Sequence, residues 1–240
     1  MSQTARQPDP HREPSTESAA PSLLSIEEIQ QEPLLAAFIT SADKAMAGLG
    51  YTEHGFRHAN LVARIAYQVL HRLEFTEREA ELARVAGYLH DVGNMLTREV
   101  HAQTGGLLVY QALRERAEPA DLAAIVAAVA NHEEDDGFAV SPVSAAVILA
   151  DKSDVHRSRV RKSGQIAFDI HDRVNHAVEQ SFLRVDSDAK TVSLELTIDT
   201  QISQVMEYFE IFLGRMQLCR LAAEVLNCKF KLLINGAELA

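Results

Sequence analysis

The segment Tyr88-Leu89-His90-Asp91-Val92-Gly93 places a histidine and an aspartate side by side at the end of a predicted apolar helix. The helix is predicted because Leu82, Val85 and Leu89 recur at helical spacing after Thr76, a residue type favoured at helix starts. A carboxylate beside an apolar face is costly unless it is paired or bound to a metal. The segment therefore predicts a metal site inside a helical fold.

Other predicted helices bring further ligand types to apolar faces. His58 begins the helix predicted at about 56–73, whose apolar stripe is Leu61, Ile65, Val69 and Leu73. His132 ends a helix predicted at about 120–132. Asp151 comes directly after the apolar run of a later helix. Because a divalent cation would satisfy two buried carboxylates among several imidazoles, these helices predict one shared site.

A further ligand type, His101, lies in a helix predicted at about 98–116, with Gly105 and Gly106 one turn later. Glycine inside a helix costs about 1 kcal/mol relative to alanine, so the pair needs a physical reason. The two glycines either let two helices approach closely or leave room for a ligand or substrate beside His101. The sequence favours neither interpretation over the other.

Taken in order along the chain, these residues resemble the ligand pattern of the HD superfamily of metal-dependent phosphohydrolases. The resemblance spans roughly residues 50–162, and Tyr88 to Gly93 looks like the central signature of that superfamily. It implies a mainly α fold, an HD-domain helical bundle. The residues that match the pattern are His58, His90, Asp91, His101, His132 and Asp151.

Two branches of the superfamily show more detailed similarity. The short spacing from Asp91 to His101 resembles the small bacterial hydrolases typified by YqeK, which split diadenosine tetraphosphate symmetrically. Asn131-His132-Glu133 is similar to a motif of the HD-GYP cyclic-dinucleotide phosphodiesterases. The chain departs from that second branch because Asn131 replaces its first histidine and Asn94 stands where it usually has a lysine.

The resemblance implies two divalent metal ions as cofactors. One ion would be held by His58, His90, Asp91 and Asp151. The second would be held by Asp91, His101 and His132, so that Asp91 bridges the two ions and is a catalytic residue. Mixed imidazole and carboxylate ligands suit iron or manganese, with magnesium or zinc as further possibilities. A metal-activated hydroxide would attack the phosphorus atom of the substrate.

A basic segment begins directly after Asp151 and runs to residue 162. It contains five basic residues and one acidic residue, a local charge of +4 on a chain of net charge −11. Lys152 and Arg157 are predicted as catalytic and substrate-binding residues, and Arg159 as a further substrate-binding residue. The reason is that arginine contacts phosphate bidentately and lysine supplies a positive charge. The alternative is a solvated basic loop.

Two more residues are candidates for supporting roles around the metals. His54 lies four residues before His58 and could face the same cavity. Glu133 follows His132 and could orient a ligand or take a proton. A second histidine–aspartate pair, His171-Asp172, is interpreted as part of a charged surface helix, since no suitable ligands follow it.

The chain is predicted to have three parts. Residues 1–22 contain four of the seven prolines and no Leu, Ile, Val or Phe, so they are predicted to be a disordered tail. Residues 23–181 are predicted to form the helical HD domain, with its last helix at about 164–183. Residues 182–240 are predicted to form a small C-terminal α+β appendage of a β-hairpin, a long helix over 200–227 and a last strand.

Composition restricts partners and location. A net charge of −11 argues against binding a nucleic acid polymer, because neutralising phosphates needs a basic face. The longest uncharged run, 137–150, is shorter than the roughly 20 residues that span a membrane. No signal peptide is apparent, and two cysteines fit a reducing compartment, so we expect a cytoplasmic protein. The stripe on the long helix is interpreted as core, or else as a homodimer surface: Val205, Phe209, Phe212 and Met216.

Three functions are consistent with the pattern. The first is a phosphohydrolase that acts on a nucleotide or another small phosphate ester through the metal-activated hydroxide. The second is an HD-type diiron oxygenase, which uses the same six-ligand arrangement. The third is a non-catalytic regulatory or binding HD module. The basic segment favours the hydrolase over the oxygenase, and the presence of all six ligand types argues against a module that has lost its chemistry.

Overall fold

The computed structural model describes residues 24–135, 137–161 and 170–239. These residues form a mainly helical protein with a small sheet near the C-terminus, which confirms the predicted fold class. The tail predicted at 1–22 lies outside the described residues. Within the described part of the chain, no helix is both long and apolar enough to cross a membrane.

The helices of the described residues largely follow the predicted apolar periodicity. Their bounds are α1 Ile26–Gln30, α2 Pro33–Gly48, α3 Phe56–Arg72, α4 Glu77–Leu89, α5 His101–Leu113, α6 Pro119–Ala130, α7 Pro142–Lys152, α8 Ile170–Ala177 and α9 Val205–Val225. The helix predicted at 98–116 is longer than α5. The five-residue α1 was not predicted, because so short a helix carries little periodicity.

Local sequence signals set the starts of two helices that carry site residues. Thr76 accepts a hydrogen bond from the backbone N–H of Glu79, whose carboxylate accepts one from the backbone N–H of Thr76, so α4 begins with a capping box. α7 begins after Ser141, which caps the backbone N–H of Ser144, and Pro142 occupies its first position. These caps satisfy N–H groups that a helix leaves unpaired.

Helix α7 is the central helix of the protein. Every residue from Val143 to Lys152 is buried, and α3, α4, α6 and α9 pack around it. A helix that is apolar on all sides is expected inside a core, which explains the uninterrupted apolar run that precedes Asp151. The end of α7 consequently carries Asp151 and Lys152 into the interior.

The buried face of α3 differs from the predicted stripe. His58 is buried on the same face as Val62 and Ala66, whereas Leu61 and Ile65 are half-buried. The prediction weighted large apolar residues, but α3 packs closely against α4 through small ones. A Cβ on Gly87 of α4 would lie only 3.2 Å from backbone atoms of α3. His58 therefore points inward, as predicted; of the predicted stripe, Val69 and Leu73 are buried and Leu61 and Ile65 are not fully buried.

The described residues contain one four-stranded sheet with the order β1–β2–β3–β4, whose strands are β1 Val178–Asp186, β2 Thr191–Ile198, β3 Lys229–Ile234 and β4 Ala237–Glu238. β1 and β2 pair antiparallel with Leu183 opposite Leu194, which confirms the predicted hairpin. β3 pairs parallel to β2 because α9 returns the chain across the sheet. The short β4 was not predicted.

The helix predicted at about 164–183 is wrong over its last part. α8 ends at Ala177 and β1 begins at Val178, so residues 178–183 are strand rather than helix. Val178 already pairs with Ile198, and this cross-strand partner overrides the local helical periodicity. Residues 164–169 of the predicted helix lie outside the described residues.

The long C-terminal helix packs its predicted stripe against the core. Phe212 and Met216 are buried, and Val205 and Phe209 are partly buried against the core. The core interpretation of the stripe is therefore confirmed, while a homodimer stays a prediction.

Glycines near His101 allow backbones to approach closely. A Cβ on Gly105 would lie 3.3 Å from the backbone nitrogen of Gly93, and one on Gly106 would lie 3.1 Å from Cβ of Ala130. A Cβ on Gly93 would overlap the carbonyl oxygen of His101 and lie 2.5 Å from the backbone nitrogen of Gly105. These contacts support the close-approach interpretation of Gly105 and Gly106.

We predict that Gly93→Ala destabilises the protein by about 1–3 kcal/mol or more, because the new methyl group meets backbone atoms that have no room to move. Denaturant unfolding measures the effect. The control is Gly214→Ala, at an exposed position of α9 where a Cβ has nothing within 4 Å. That variant should be unchanged or more stable by up to about 1 kcal/mol. A Gly93→Ala variant as stable as wild type would contradict the described packing.

Candidate metal centre

The ends of five helices bring the six predicted ligands to one place. His58 lies in the first turn of α3, His90 directly follows α4, and His101 is the first residue of α5. His132 comes just after α6, and Asp151 lies near the end of α7. All six side chains are buried. The predicted convergence of imidazoles and carboxylates is therefore present in the fold.

A first group of donor atoms consists of His58 Nε2, His90 Nε2, Asp91 Oδ2 and Asp151 Oδ1. The two imidazole nitrogens are 3.1 Å apart. Each nitrogen lies 3.3 or 3.5 Å from Asp91 Oδ2 and from Asp151 Oδ1. Ligands at about 2.1 Å from one ion are roughly 3.0–3.4 Å from each other, so these four atoms are spaced as ligands of a single ion would be.

A second group uses the other oxygen of Asp91. Asp91 Oδ1 lies 3.5 Å from His101 Nε2 and 3.7 Å from His132 Nε2, and the two nitrogens are 3.1 Å apart. Glu133 Oε2 lies 3.1 Å from His101 Nε2, close enough to add a fourth donor. Asp91 thus presents one oxygen to each group, which is the geometry of a bridging carboxylate.

The second ring nitrogen of each histidine holds the imidazole in place. In three of them Nδ1 donates to the carbonyl oxygen three residues earlier, at 2.7–2.9 Å: His90, His101 and His132. His58 Nδ1 instead donates to Asp154 Oδ2 at 2.7 Å. Because these oxygens only accept hydrogen bonds, Nδ1 carries a hydrogen, and Nε2 is the nitrogen left to bind a metal. All four Nε2 atoms point into the cluster.

This arrangement fits a divalent metal ion. The Nε2 atoms form two close pairs, His58 with His90 and His101 with His132, each 3.1 Å apart, which is the separation of two nitrogens bound to one ion. Asp91 Oδ2 is buried and has no hydrogen-bond partner among the described residues. The six residues form three overlapping groups of three, and within each group the donor atoms lie within 4.8 Å of one another. A buried carboxylate oxygen without a donor is satisfied by a metal at low cost.

Charges inside the cluster shift the pKa values of its members. Burial disfavours a charged His90, but the carboxylates of Asp91 and Asp151 outweigh burial and raise the pKa of His90 to about 10. Burial also disfavours charged carboxylates, yet His90 holds the pKa of Asp91 well below its usual range, and Lys152 does the same for Asp151. The metal-free cluster therefore keeps both carboxylates charged and holds a proton on His90.

Asp154 supports the cluster from outside, and the sequence reasoning missed it. Its buried carboxylate accepts hydrogen bonds from His58 Nδ1 at 2.7 Å and from Arg57 Nη2 at 2.8 Å. Burial opposes its charge, but the nearby Arg159 and His58 hold the pKa of Asp154 below its usual range. The available signal was its position three residues after Asp151, where the end of α7 turns both carboxylates toward the cluster.

Lys152, predicted to contact substrate, is enclosed by carboxylates. Its side chain is 3% exposed, and Nζ lies 2.6 Å from Glu134 Oε2, 2.9 Å from Asp151 Oδ2 and 3.7 Å from Glu133 Oε1. Burial opposes its charge, but Asp151 and the two glutamates outweigh burial and raise the pKa of Lys152. Its contacts make Lys152 the counter-charge of these acids, and contact with a substrate stays a prediction.

The other predicted polar residues divide between cavity and surface. Arg157 Nη2 donates to Glu179 Oε1 at 3.0 Å, away from the cluster. Arg159 is buried, and its Nη2 lies 3.1 Å from Nε2 of His54. His54 and Arg159 border a cavity beside the cluster, and so does the His171-Asp172 pair that was interpreted as surface. Substrate binding by Arg157 and Arg159 stays a prediction.

The cavity beside the cluster has a volume of about 190 Å³. Its wall includes Glu133, which contacts His101, and His54, whose ring centroid is 5.6 Å from that of His58. Two more arginines line it, Arg98 and Arg215, and the sequence reasoning missed both. Arg98 precedes α5 without any pattern around it, and Arg215 comes from a distant part of the chain. Only the tertiary fold brings them together.

We predict that Asp91→Ala abolishes metal binding at both groups of donor atoms, because Asp91 contributes one carboxylate oxygen to each group. Asp151→Ala should retain the group with His101 and His132, since Asp151 Oδ1 contacts only His58 and His90 at 3.3–3.5 Å. Elemental analysis after loading with manganese or iron measures the bound metal per chain.

The control for this comparison is Asp188→Ala, an exposed aspartate in the turn between β1 and β2. It should retain the metal content of wild type. Unchanged metal in Asp91→Ala would rule out the bridging assignment.

We also predict that metal binding releases protons. His90 keeps its proton below its raised pKa of about 10 in the metal-free protein, whereas a metal requires the unprotonated nitrogen. Affinity should therefore rise with pH from neutrality toward 10. Calorimetric titration of Mn²⁺ in two buffers of different ionisation enthalpy gives the proton count. Binding without proton release at neutral pH would contradict the charge state described for His90.

Comparison with known proteins supports the same conclusion from the sequence side. A model of the HD domain family matches residues 55–157, and no curated protein matches the chain significantly. HD domains are typical of metal-dependent phosphohydrolases and bind divalent metals. The match contains the complete cluster and its supporting Asp154. This chain therefore carries an HD domain at residues 55–157, which confirms the superfamily that the sequence resembles.

Proposed function

We propose that this protein is a metal-dependent phosphohydrolase that cleaves a nucleotide or another small phosphate ester. The observation that carries the proposal is Asp91, whose two carboxylate oxygens face two separate pairs of histidines at 3.3–3.7 Å. Such a cluster is suited to two adjacent ions, for which we propose iron or manganese because the ligands are mixed imidazole and carboxylate. Bound ions would supply an activated water and offset charge on phosphoryl oxygens.

The side chains around the cluster prepare it for this chemistry. The Nδ1 contacts of the four histidines keep every Nε2 directed at the centre, so little reorganisation accompanies ligand binding. Lys152 stabilises the charge of Asp151. Arg98 Nη1 lies 3.2 Å from His101 Nε2 and 3.6 Å from Glu133 Oε2 at the cavity wall. A guanidinium beside the cluster is suited to bind an oxygen of the phosphoryl group.

Glu133 is better suited to hold charge than to accept a proton. Burial opposes its charge, but Lys152 and His101 hold the pKa of Glu133 far below its usual range. A group with so low a pKa is a weak general base near neutral pH. Its distance of 3.1 Å from His101 Nε2 favours a direct role as an additional metal ligand.

The arginines at the cavity favour the hydrolase over the diiron oxygenase. The lining is mixed in charge, because Arg98, Arg159 and Arg215 border the cavity together with four acidic residues, Glu133, Glu134, Asp135 and Asp172. The guanidinium groups supply the donors that an anionic substrate requires. The third alternative is a regulatory or binding module without catalytic activity. No feature of the cluster favours it, because all six predicted ligands are present and meet there. A small phosphorylated molecule is the proposed partner.

We predict metal-dependent phosphate release from at least one member of a panel of nucleotides and small phosphate esters. Protein loaded with manganese, and separately with iron, is compared with metal-free protein. Activity should fall to the metal-free background in Asp91→Ala and stay unchanged in Asp188→Ala, because only the first removes the shared carboxylate. Metal-loaded protein that releases no phosphate, but consumes oxygen when loaded with iron, would contradict the hydrolase and support the oxygenase.

A further inference from the structure

The C-terminal appendage contributes directly to the wall of the cavity beside the cluster. Ile211, Phe212 and Arg215 of α9 line the cavity together with residues of the HD domain such as Glu133. The HD family match ends at residue 157, so these wall residues come from outside it. A substrate that reaches the cluster from this cavity would contact both parts of the chain.

Arg215 lines this cavity, and contacts with two neighbours fix its side chain. Its Nε donates to Glu134 Oε1 at 2.9 Å, and its guanidinium carbon lies 4.6 Å from the centroid of the Phe212 ring. Its two terminal nitrogens form no hydrogen bond with any described residue. The Nε–H group thus fixes the guanidinium of Arg215, and the N–H donors of its two terminal nitrogens are available to a ligand.

The same contact links Arg215 to the cluster. Glu134 Oε2 forms an ion pair with Lys152 Nζ at 2.6 Å, and Lys152 Nζ lies 2.9 Å from Asp151 Oδ2. A chain of alternating charges therefore runs from α9 to a proposed metal ligand. This chain positions Arg215 relative to the cluster.

We propose that Arg215 is a substrate-binding residue that recognises the anionic group of a small phosphate ester and thereby makes the appendage a determinant of specificity. The proposal rests on the phosphohydrolase function. A guanidinium with free N–H groups matches the oxygens of phosphate in geometry and charge. Arg98 offers a second guanidinium across the same cavity, packed 5.6 Å from the centroid of the Tyr51 ring.

The size of the cavity restricts the organic part of the substrate. Pockets for drug-sized ligands measure about 300–1,000 Å³, whereas this cavity measures about 190 Å³. Ile211 and Phe212 provide a small apolar surface beside the arginines. The substrate class is therefore a monophosphate of a small alcohol or sugar rather than a dinucleotide.

The experiment measures inorganic phosphate binding to manganese-loaded protein by calorimetry, with metal content and melting temperature recorded for each variant. Phosphate is the product common to all phosphate esters, so this readout does not depend on finding the substrate. Arg215→Gln should weaken phosphate binding about tenfold or more, as expected for loss of a charged hydrogen bond, with metal content unchanged. The matched control is Arg220→Gln, an exposed arginine of the same helix, which should bind like wild type.

A folded, metal-loaded Arg215→Gln variant that binds phosphate as tightly as wild type would overturn the proposal, and so would wild-type protein that does not bind phosphate. If Arg215→Gln fails to fold, the second variant is Arg215→Lys. It keeps the positive charge beside Glu134 but loses the planar guanidinium, so it should bind phosphate several-fold more weakly than wild type. Unchanged binding by that variant would also overturn it. In the substrate panel, better turnover of a dinucleotide than of every small monophosphate would overturn the size assignment.

These outcomes separate the inference from the function on which it rests. Phosphate binding that depends on Arg215, without hydrolysis of any ester, would reject the hydrolase and keep the anion site. Hydrolysis that is independent of Arg215 would keep the hydrolase and reject the inference.

Discussion

The carboxylate of Asp91 is shared between two pairs of imidazoles, and the rest of the structure is arranged around that contact. Its oxygens lie 3.3–3.7 Å from four Nε2 atoms that come from α3, the end of α4, α5 and the segment after α6. Each of these elements must end or begin at the right residue for the contact to exist. The capping box fixes the start of α4, which leads to Asp91. Glycine at position 93 lets the chain after Asp91 pass close to the backbone of His101, where a Cβ would overlap it. The buried central helix α7 adds Asp151 to the same point.

Burying so many ionisable groups requires compensation, and the chain supplies it in pairs. Lys152 lies among Asp151, Glu133 and Glu134, and Asp154 lies between His58 and Arg57. A single unpaired charge in such surroundings would cost several kcal/mol. Lys152, the first basic residue after Asp151, therefore acts as the partner of acids in the HD domain. Two of the three arginines that border the cavity, Arg98 and Arg215, lie outside the basic segment, and Arg215 belongs to α9.

Much of this organisation was predictable from the sequence, because helices that bury one face leave a strong period in it. Five of the six ligands stood out because they lie at the start or the end of an apolar run, whereas His101 entered through the family resemblance; the structure brings all six together. The strand at Val178 was misread as helix because its partner Ile198 is remote in sequence. Arg98 and Arg215 were missed for the same reason, since their significance depends on contacts that no local pattern encodes. Asp154 was missed although its position three residues after Asp151 offered a local signal. The two interpretations of Gly105 and Gly106 could be separated only from the packing of α5 against its neighbours.

The most direct test of the central claim is electron paramagnetic resonance of the protein loaded with two equivalents of Mn²⁺. If Asp91 bridges two ions, the spectrum should show an exchange-coupled pair, because a shared carboxylate keeps the ions within a few ångströms of each other. Titration should show the coupled signal growing as the second equivalent binds. A spectrum of isolated Mn²⁺ ions at full occupancy, or saturation at one ion per chain, would contradict the account.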